Sequence, residues 1–198
     1  DLKSPADQYN ILTGGNPNLR PEESESTTLG VVWTPSSIEG LTVTLDYFDI
    51  LVEDRIGTIP AQTSIDKCIS TGNPTFCNLI ERDPIMGSLW VSPGRIITTN
   101  TNVAETSTSG FDIIFDYVLE TGIGPIGLKG ISTIVDSDTL IVLPGEPELE
   151  CAGKYGSSCG KNPVPEFSGN YSAELSRGDF DYNLGLRYLG ETDTLNSD

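Results

Sequence analysis

The chain has 198 residues and a formal net charge of −18, with 29 Asp and Glu against 11 Lys and Arg. This acidic balance disfavours nucleic acid as a partner, because binding it requires clustered Lys and Arg. The sequence contains no histidine, so the commonest general base and metal ligand is missing and a Ser-His-Asp triad is excluded. We therefore expect no catalytic residues, no metal site and no cofactor.

Alternation of apolar and polar side chains predicts an all-β chain. Residues 1–21 are rich in Gly, Pro and Asn and are expected to form a loop. No stretch is apolar over the roughly 18 residues that a transmembrane helix needs. Six strands are predicted, at about 23–34, 41–56, 103–120, 126–137, 167–176 and 180–190. The fourth of these alternates poorly.

The first long connection, between the second and third strands, is expected to contain two short helices. Residues 63–70 predict one, with Thr63 or Ser64 as its N-cap. Residues 73–82 predict the other, with Asn73 at the cap and a proline in the first helical position. Cysteines would then lie close to the junction of the two helices.

The third strand is the most regular and shows two distinct faces. One face carries Phe111, Ile113, Phe115, Tyr117 and Leu119. The other carries two aspartates, because successive side chains of a strand point to opposite sides of the sheet. The apolar face would meet either a soluble core or lipid. The polar faces of the strands include Asp46, Asp112, Asp116, Asp181 and Arg187.

The connections between the strands alternate between short and long. Those at 34–40, 121–125 and 176–179 are short, whereas those at 57–102 and 138–165 are long. In an antiparallel up-and-down meander, all long connections fall at one end of the sheet. That asymmetry is typical of outer-membrane β-barrels, whose periplasmic turns are short and whose extracellular loops are long. A soluble β-sandwich explains the alternation but not this asymmetry.

The four cysteines form two close pairs, Cys68 with Cys77 and Cys151 with Cys159. Neither pair is a C-x-x-C, so a zinc site is disfavoured and two local disulfides are expected. Disulfides would indicate an oxidising compartment. Four free thiols are the alternative.

Several segments resemble the barrel of TonB-dependent outer-membrane receptors. They are N-P-N-L-R-P-E-E-S-E-S-T-T-L-G-V-V-W-T-P (16–35), G-L-T-V-T-L-D-Y-F-D-I (40–50), the cysteine loop C-I-S-T-G-N-P-T-F-C-N-L-I-E-R-D-P-I-M-G-S-L-W-V-S-P (68–93), T-S-G-F-D (108–112) and P-V-P-E-F-S-G-N-Y-S-A-E-L (163–175). The resemblance implies a plugged barrel of about 22 strands in the outer membrane of a Gram-negative bacterium. Residues 1–198 would then form a late, six-strand part of that barrel, without the plug domain.

The resemblance also implies a function and partners. The function is energised uptake of a scarce ligand, with iron–siderophore, cobalamin and oligosaccharide as open alternatives. The partners are membrane lipid, the TonB complex, the plug domain and the ligand itself. A different function remains open, in which the chain is a soluble, secreted β-domain acting as an adhesin or carbohydrate-binding module.

The candidate ligand-binding residues lie in the long loops. Trp90, within a predicted hairpin at 88–98, could stack on a sugar or an aromatic siderophore, or could instead hold its own hairpin together. Arg82, Arg95 and Tyr155 complete the expected ligand-binding set. The acidic residues of the second long loop lack EF-hand spacing, so we expect a solvated loop rather than a calcium site.

Overall fold

The computed structural model describes residues 8–156, 158–159 and 162–195. Its helices are α1 (Ala61–Thr71) and α2 (Pro74–Cys77). Its strands are β1 (Ile11–Leu12), β2 (Glu23–Trp33), β3 (Leu41–Gly57), β4 (Ile80–Glu81), β5 (Arg95–Ile97), β6 (Thr101–Thr121), β7 (Gly124–Ile141), β8 (Leu149–Glu150), β9 (Lys154–Tyr155), β10 (Phe167–Arg177), β11 (Phe180–Leu189) and β12 (Asp193–Thr194). Within the described ranges, neither helix has the length and apolar character needed to cross a membrane.

The six long strands form one sheet in the order β11-β10-β7-β6-β3-β2. Each strand therefore lies beside its neighbours in the chain, and the registers of β6 with β7, β7 with β10 and β10 with β11 are antiparallel. The predicted up-and-down meander is confirmed. The alternative of two packed sheets is wrong, because all six strands belong to a single sheet.

Two compact units divide the chain. The first, here called the loop unit, comprises Asp1–Glu23, Asp54–Ala104 and Val142–Gly145. The second, here called the sheet unit, comprises Ser24–Glu53, Glu105–Ile141 and Glu146–Asp198.

In the sheet unit, the register between strands places the apolar side chains on one face. Phe111 pairs with Ile134, and Ile134 pairs in turn with Phe167 of β10. This face is not covered by a second layer, since Leu184 is 72 % exposed and Leu186 is 63 % exposed. An uncovered apolar face of this kind is what the outer wall of a membrane barrel presents to lipid.

A β-bulge interrupts the pairing of β7 with β6. Ser109 pairs with Ser137 whereas Gly110 pairs with Val135, so Asp136 is an extra residue on β7. Such a β-bulge reverses the side to which the following side chains point. The sequence pattern of β7 therefore breaks where the bulge occurs, and the strand continues to Ile141 instead of ending at 137.

Aromatic rings fill a groove that glycine leaves in the apolar face. Phe115 and Tyr171 stack with their ring centroids 6.3 Å apart. A Cβ at residue 130 would overlap the ring of Phe115, so Gly130 is required for this packing. The Tyr171 hydroxyl also hydrogen-bonds Ser132 Oγ at 2.7 Å. This contact gives the phenolic oxygen a polar partner within an otherwise apolar surface.

The loop unit has its own small core. One cluster joins Ala61 and Ile65 of α1 to Leu89 and Ile96, with Ile96 fully buried. A second cluster joins buried Ile59, Phe76 and Leu143, with Cys68, Leu79 and Val103 packed against it. These contacts fix the long loop as a folded element.

The two predicted helices form, but their bounds differ from the prediction. α1 follows Pro60 and has no side-chain cap, so the prediction of Thr63 or Ser64 as its N-cap is wrong. Ser64 lies inside the first turn, where its N–H donates to the Pro60 carbonyl at 3.0 Å. The Asn73 cap of α2 is confirmed, since its side chain accepts a hydrogen bond from the Thr75 N–H.

The predicted hairpin at 88–98 is wrong. Instead, β5 pairs in parallel with β1 and antiparallel with β4. A partner in parallel register, more than eighty residues away in the chain, leaves no local turn signal in the sequence. For the same reason, residues 11–12 were expected to be loop and are in fact a strand.

Candidate ligand-binding loops

A network around Asn102, here called the Asn102 clasp, fixes three segments of the loop unit. The Asn102 amide oxygen accepts from the Arg20 N–H at 3.0 Å, and its nitrogen donates to the Arg20 carbonyl at 3.0 Å and the Asp54 carbonyl at 2.6 Å. All hydrogen-bonding capacity of the amide N–H₂ group is therefore used. The Arg20 guanidinium also pairs with Asp54 at 2.6 Å.

The segment that precedes β2 is held beside the beginning of β6 by the same kind of contact. Asn16 donates from its side chain to the Asn100 carbonyl at 3.1 Å. Glu22 accepts from the Ile56 N–H at 2.7 Å. Asp54 adopts a left-handed backbone conformation with φ of 54°, which is uncommon for a residue other than glycine. The N-P-N-L-R-P-E-E segment thus holds neighbouring strands together.

Both predicted disulfides are present. Cys68 and Cys77 are bonded with their Cα atoms 4.8 Å apart, joining α1 to the end of α2. Cys151 and Cys159 are bonded in the sheet unit, with Cα atoms 5.5 Å apart.

The two arginines predicted to bind ligand already have partners. Arg95 forms an ion pair with Glu81 at 2.6 Å, and these residues are also direct partners in the β4–β5 register. Arg82 donates from its guanidinium to the Gly87 carbonyl at 2.7 Å. Tyr155 belongs to the sheet unit, where its hydroxyl accepts from Thr194 at 3.1 Å. Trp90 lies in the loop unit and is 40 % exposed.

Trp90 lines a cleft of about 480 Å³ together with Gln8, Tyr9 and Asn10. Tyr9 also packs against the cluster formed by Ala61, Ile65, Leu89 and Ile96. Sequence reasoning missed Gln8, Tyr9 and Asn10 because they lie in a Gly- and Asn-rich segment with no strand or helix pattern. An aromatic residue beside two amide side chains is the only local signal that could have identified them.

A larger recess of about 630 Å³ lies elsewhere in the loop unit. In the part of the chain that the structure describes, its lining residues include Ile11, Thr13, Thr58 and Pro60 and contain no aromatic side chain. It therefore offers hydroxyl and aliphatic groups but no ring on which a planar or ring-shaped ligand could stack.

The predicted polar-face residues share one side of the sheet unit. Thr133 donates to Asp112 at 2.6 Å across β6 and β7, and Ser176 donates to Asp181 at 2.7 Å across β10 and β11. Asp116 is the register partner of Lys129. Asp46 and Arg187 complete this set, with the Asp46 carboxylate lying over Gly30 and Arg187 opposite Asn170.

The carboxylate of Glu150 is enclosed by donors at the end of β7. The N–H groups of Asp138 and Ala152 each donate to it at 2.9 Å, and the Ser137 hydroxyl donates at 2.8 Å. Burial raises the pKa of Glu150, but these hydrogen bonds outweigh burial and hold the pKa below its usual value. Over the described ranges, no group of three or more His, Cys, Asp or Glu side chains could hold a metal ion.

We expect acid to loosen the turn that Glu150 organises. The pKa of Glu150 is lower in the folded protein than in the unfolded chain. The ionised carboxylate therefore stabilises the fold above its unfolded pKa, and this stabilisation is lost as the pH falls through its folded pKa. Glu150→Gln should remove this dependence and leave the turn equally loose at neutral and acid pH. Hydrogen exchange of residues 137–152, followed from pH 7 to pH 3, measures the effect. Glu148→Gln is the matched control, and an identical profile in both variants would contradict the prediction.

Comparison with protein families finds a match over nearly the whole chain. Residues 3–198 match the family model described as TonB dependent receptor-like, beta-barrel. No curated protein matches the chain in sequence. The matched region includes the meander of long strands and the disulfide-bonded loop described above.

Proposed function

The chain belongs to the β-barrel of the TonB-dependent receptors, and from that premise we propose that its loop unit captures the ligand which the receptor imports. Members of this family are transporters in the Gram-negative outer membrane and are not enzymes.

One observation carries this proposal: the long connection between β3 and β6 is a folded unit. It has a fully buried residue, Ile96, and a disulfide between Cys68 and Cys77. A loop that only linked two strands would need neither, because loop length costs little free energy. A rigid loop reduces the ordering cost of binding, which is the general advantage of a preorganised site.

The polar face of the sheet unit has a complementary role in the proposal. Asp46, Asp112, Asp116, Asp181 and Arg187 would face the lumen, opposite the uncovered apolar face. There they would contact the plug domain or line the ligand path, while the TonB complex supplies energy from the inner membrane. The hydrogen bonds of Asp112 with Thr133 and of Asp181 with Ser176 favour a structural lumen network for these two residues.

Deletion of the loop tests the proposal. Replacing residues 63–98 by a short Gly-Ser linker in the full-length receptor should abolish binding and uptake while the barrel still inserts in the outer membrane. Uptake of a ligand panel is measured in cells with and without TonB, and insertion is measured by surface labelling. The matched control replaces residues 36–39, in the turn between β2 and β3 of the sheet unit, by a linker of equal length. An unchanged uptake profile in the 63–98 deletion would contradict a ligand-binding role.

A further inference from the structure

We propose that a hollow in the polar face of the sheet unit, here called the lumen hollow, is the docking position of a segment of the plug domain. This inference rests on the proposed function, which places the polar face in the lumen of the barrel. The hollow has a volume of about 350 Å³ and lies entirely within the sheet unit. Six side chains surround it, those of Ile114, Asp116, Lys129, Ile131, Asn170 and Ser172.

The strand register shows that the lumen hollow opens on the polar face. Phe115, Gly130 and Tyr171 also line it, and they are register partners across β6, β7 and β10. The six surrounding side chains belong to the residues immediately before and after these three. Because successive side chains of a strand point to opposite sides, those six lie on the other side of the sheet from the Phe115 and Tyr171 rings. Since the rings occupy the apolar face, the hollow belongs to the polar face.

The centre of the lumen hollow is apolar. Ile114 and Ile131 are direct register partners, and they are 39 % and 41 % exposed. Side chains that face the interior of a membrane barrel are usually polar, and the polar face does not meet lipid. Covering two adjacent isoleucines with another apolar group is favourable because it removes them from water. The pair therefore indicates a partner that brings an apolar side chain to this part of the wall.

The rim of the lumen hollow consists of polar groups that have no partner in the wall. The side chains of Asp116, Lys129, Asn170 and Ser172 make no hydrogen bond or ion pair with another described residue. The register places Asp116 opposite Lys129, and Lys129 opposite Ser172. Donors and acceptors are therefore grouped around the isoleucines and are available to a partner.

Other carboxylates of the polar face differ from this rim. Asp112 accepts from Thr133 at 2.6 Å, and Asp181 accepts from Ser176 at 2.7 Å. The wall satisfies these two carboxylates by itself, whereas it leaves the rim of the lumen hollow unbonded. An apolar centre within a polar rim is the usual arrangement of a protein–protein interface.

A polypeptide segment fits this mixture of groups. Asp116 accepts hydrogen bonds, Lys129 donates them, and the Asn170 amide does both. A backbone presents N–H and C=O groups along its length, and an apolar side chain between them would fill the space over the isoleucines. A small ligand of a single charge would use only part of this rim. The plug domain is the polypeptide that the proposed function places in the lumen, so the hollow is assigned to it.

Photocrosslinking of the full-length receptor in intact outer membranes, without added ligand, tests this assignment. The photoreactive amino acid p-benzoylphenylalanine replaces Ile131 in one variant and Ile134 in its matched control. Both residues lie on β7 with similar exposure, 41 % and 36 %, but they point to opposite sides of the sheet. Crosslinked peptides are identified by mass spectrometry. We expect position 131 to crosslink to the plug domain about tenfold or more above position 134, because only one of the two faces the lumen.

A second pair of positions guards against a variant that fails to insert. The same photoreactive amino acid replaces Ser172 or Ala173, which are consecutive residues of β10 on opposite faces. Surface labelling verifies insertion of every variant. With the probe at position 172, Ile114→Ala should lower the yield of plug crosslink about fivefold, because apolar contact is lost. Ile113→Ala, on the apolar face, should leave the yield unchanged.

Crosslinks from positions 131 and 172 to the plug domain, and not from 134 and 173, would support the assignment. Crosslinks from 131 and 172 to the loop unit instead would overturn the plug domain as the occupant. Absence of any peptide crosslink from inserted receptor would overturn it too, as would equal yields from the two faces. An unchanged yield in Ile114→Ala would overturn the apolar contact.

Failure of this inference is distinguishable from failure of the proposed function. Crosslinking reports on the polar face without any transport, whereas the 63–98 deletion is scored by energised uptake in cells. Loss of uptake in that deletion, together with no plug crosslink, would remove the docking position and leave the loop unit as the ligand-binding element. Plug crosslinks together with unchanged uptake in the deletion would have the opposite meaning.

Discussion

Asn102→Ala should destabilise the loop unit by about 2–3 kcal/mol, since three hydrogen bonds of about 1 kcal/mol each are lost. The substitution removes every hydrogen bond made by the Asn102 side chain and leaves three backbone groups of Arg20 and Asp54 without that partner. The left-handed backbone at Asp54 would then have less to hold it in place. Hydrogen exchange of residues 14–22 and 54–58 measures the loss directly.

The neighbouring residue supplies the control for this prediction. Asn100 is engaged through its backbone, with its carbonyl accepting from Asn16 and its N–H donating to Gly14. Asn100→Ala therefore keeps those bonds and should leave exchange unchanged. Asn102→Asp keeps the acceptor for the Arg20 N–H but places a carboxylate oxygen against the Arg20 and Asp54 carbonyls, so it should destabilise the unit at least as much as Asn102→Ala. Equal protection in Asn102→Ala and Asn100→Ala would contradict a stabilising role for the clasp.

Removal of the Cys68–Cys77 disulfide should destabilise the loop unit by about 2.5 kcal/mol, the chain-entropy value for so short a closed loop. The double variant Cys68→Ser with Cys77→Ser avoids a free thiol. Cys68 packs against the cluster that contains Phe76 and Leu143, so α1 and α2 should separate from that cluster more often. Limited proteolysis between residues 61 and 80, in receptor held in detergent, measures the opening.

The second disulfide gives the matched control. Cys151 and Cys159 belong to the sheet unit, so Cys151→Ser with Cys159→Ser removes a bridge of similar loop length in a different unit. Its cleavage between 61 and 80 should match that of the wild-type receptor. If both double variants are cleaved at the same rate within α1 and α2, the Cys68–Cys77 bridge does not stabilise the loop locally.

The strands and their faces could be predicted because both follow from local sequence. Alternation around Phe111 and Asp112 depends only on strand geometry, and the order of short and long connections predicts a meander. The bulge at Asp136 could not be predicted, since it depends on which β6 residue lies opposite. The start of α1 was missed because burial of Ala61 and Ile65, and not capping, decides it.

The candidate site was predictable only in part. Trp90 was identified because an aromatic residue in a polar loop is conspicuous. Its cleft partners Tyr9 and Asn10 reach it through the parallel pairing of β1 with β5, a contact between distant segments that no local pattern reports. Arg82 and Arg95 were predicted to bind ligand because both are cations in a long loop. In the structure Arg82 donates to the Gly87 carbonyl and Arg95 pairs with Glu81, so both stabilise the loop itself.

The rings of Phe115 and Tyr171 over Gly130 have a consequence for how the wall assembles. If β10 shifted by two residues along β7, every side chain would stay on its side of the sheet. Burial of apolar side chains would therefore not favour the native register over the shifted one. Tyr171 would then face Leu128 or Ser132 instead of Gly130, and its ring would have no groove to occupy. Gly130 therefore disfavours a two-residue shift of β10 along β7, which is a mispairing that the alternation of apolar and polar side chains does not prevent.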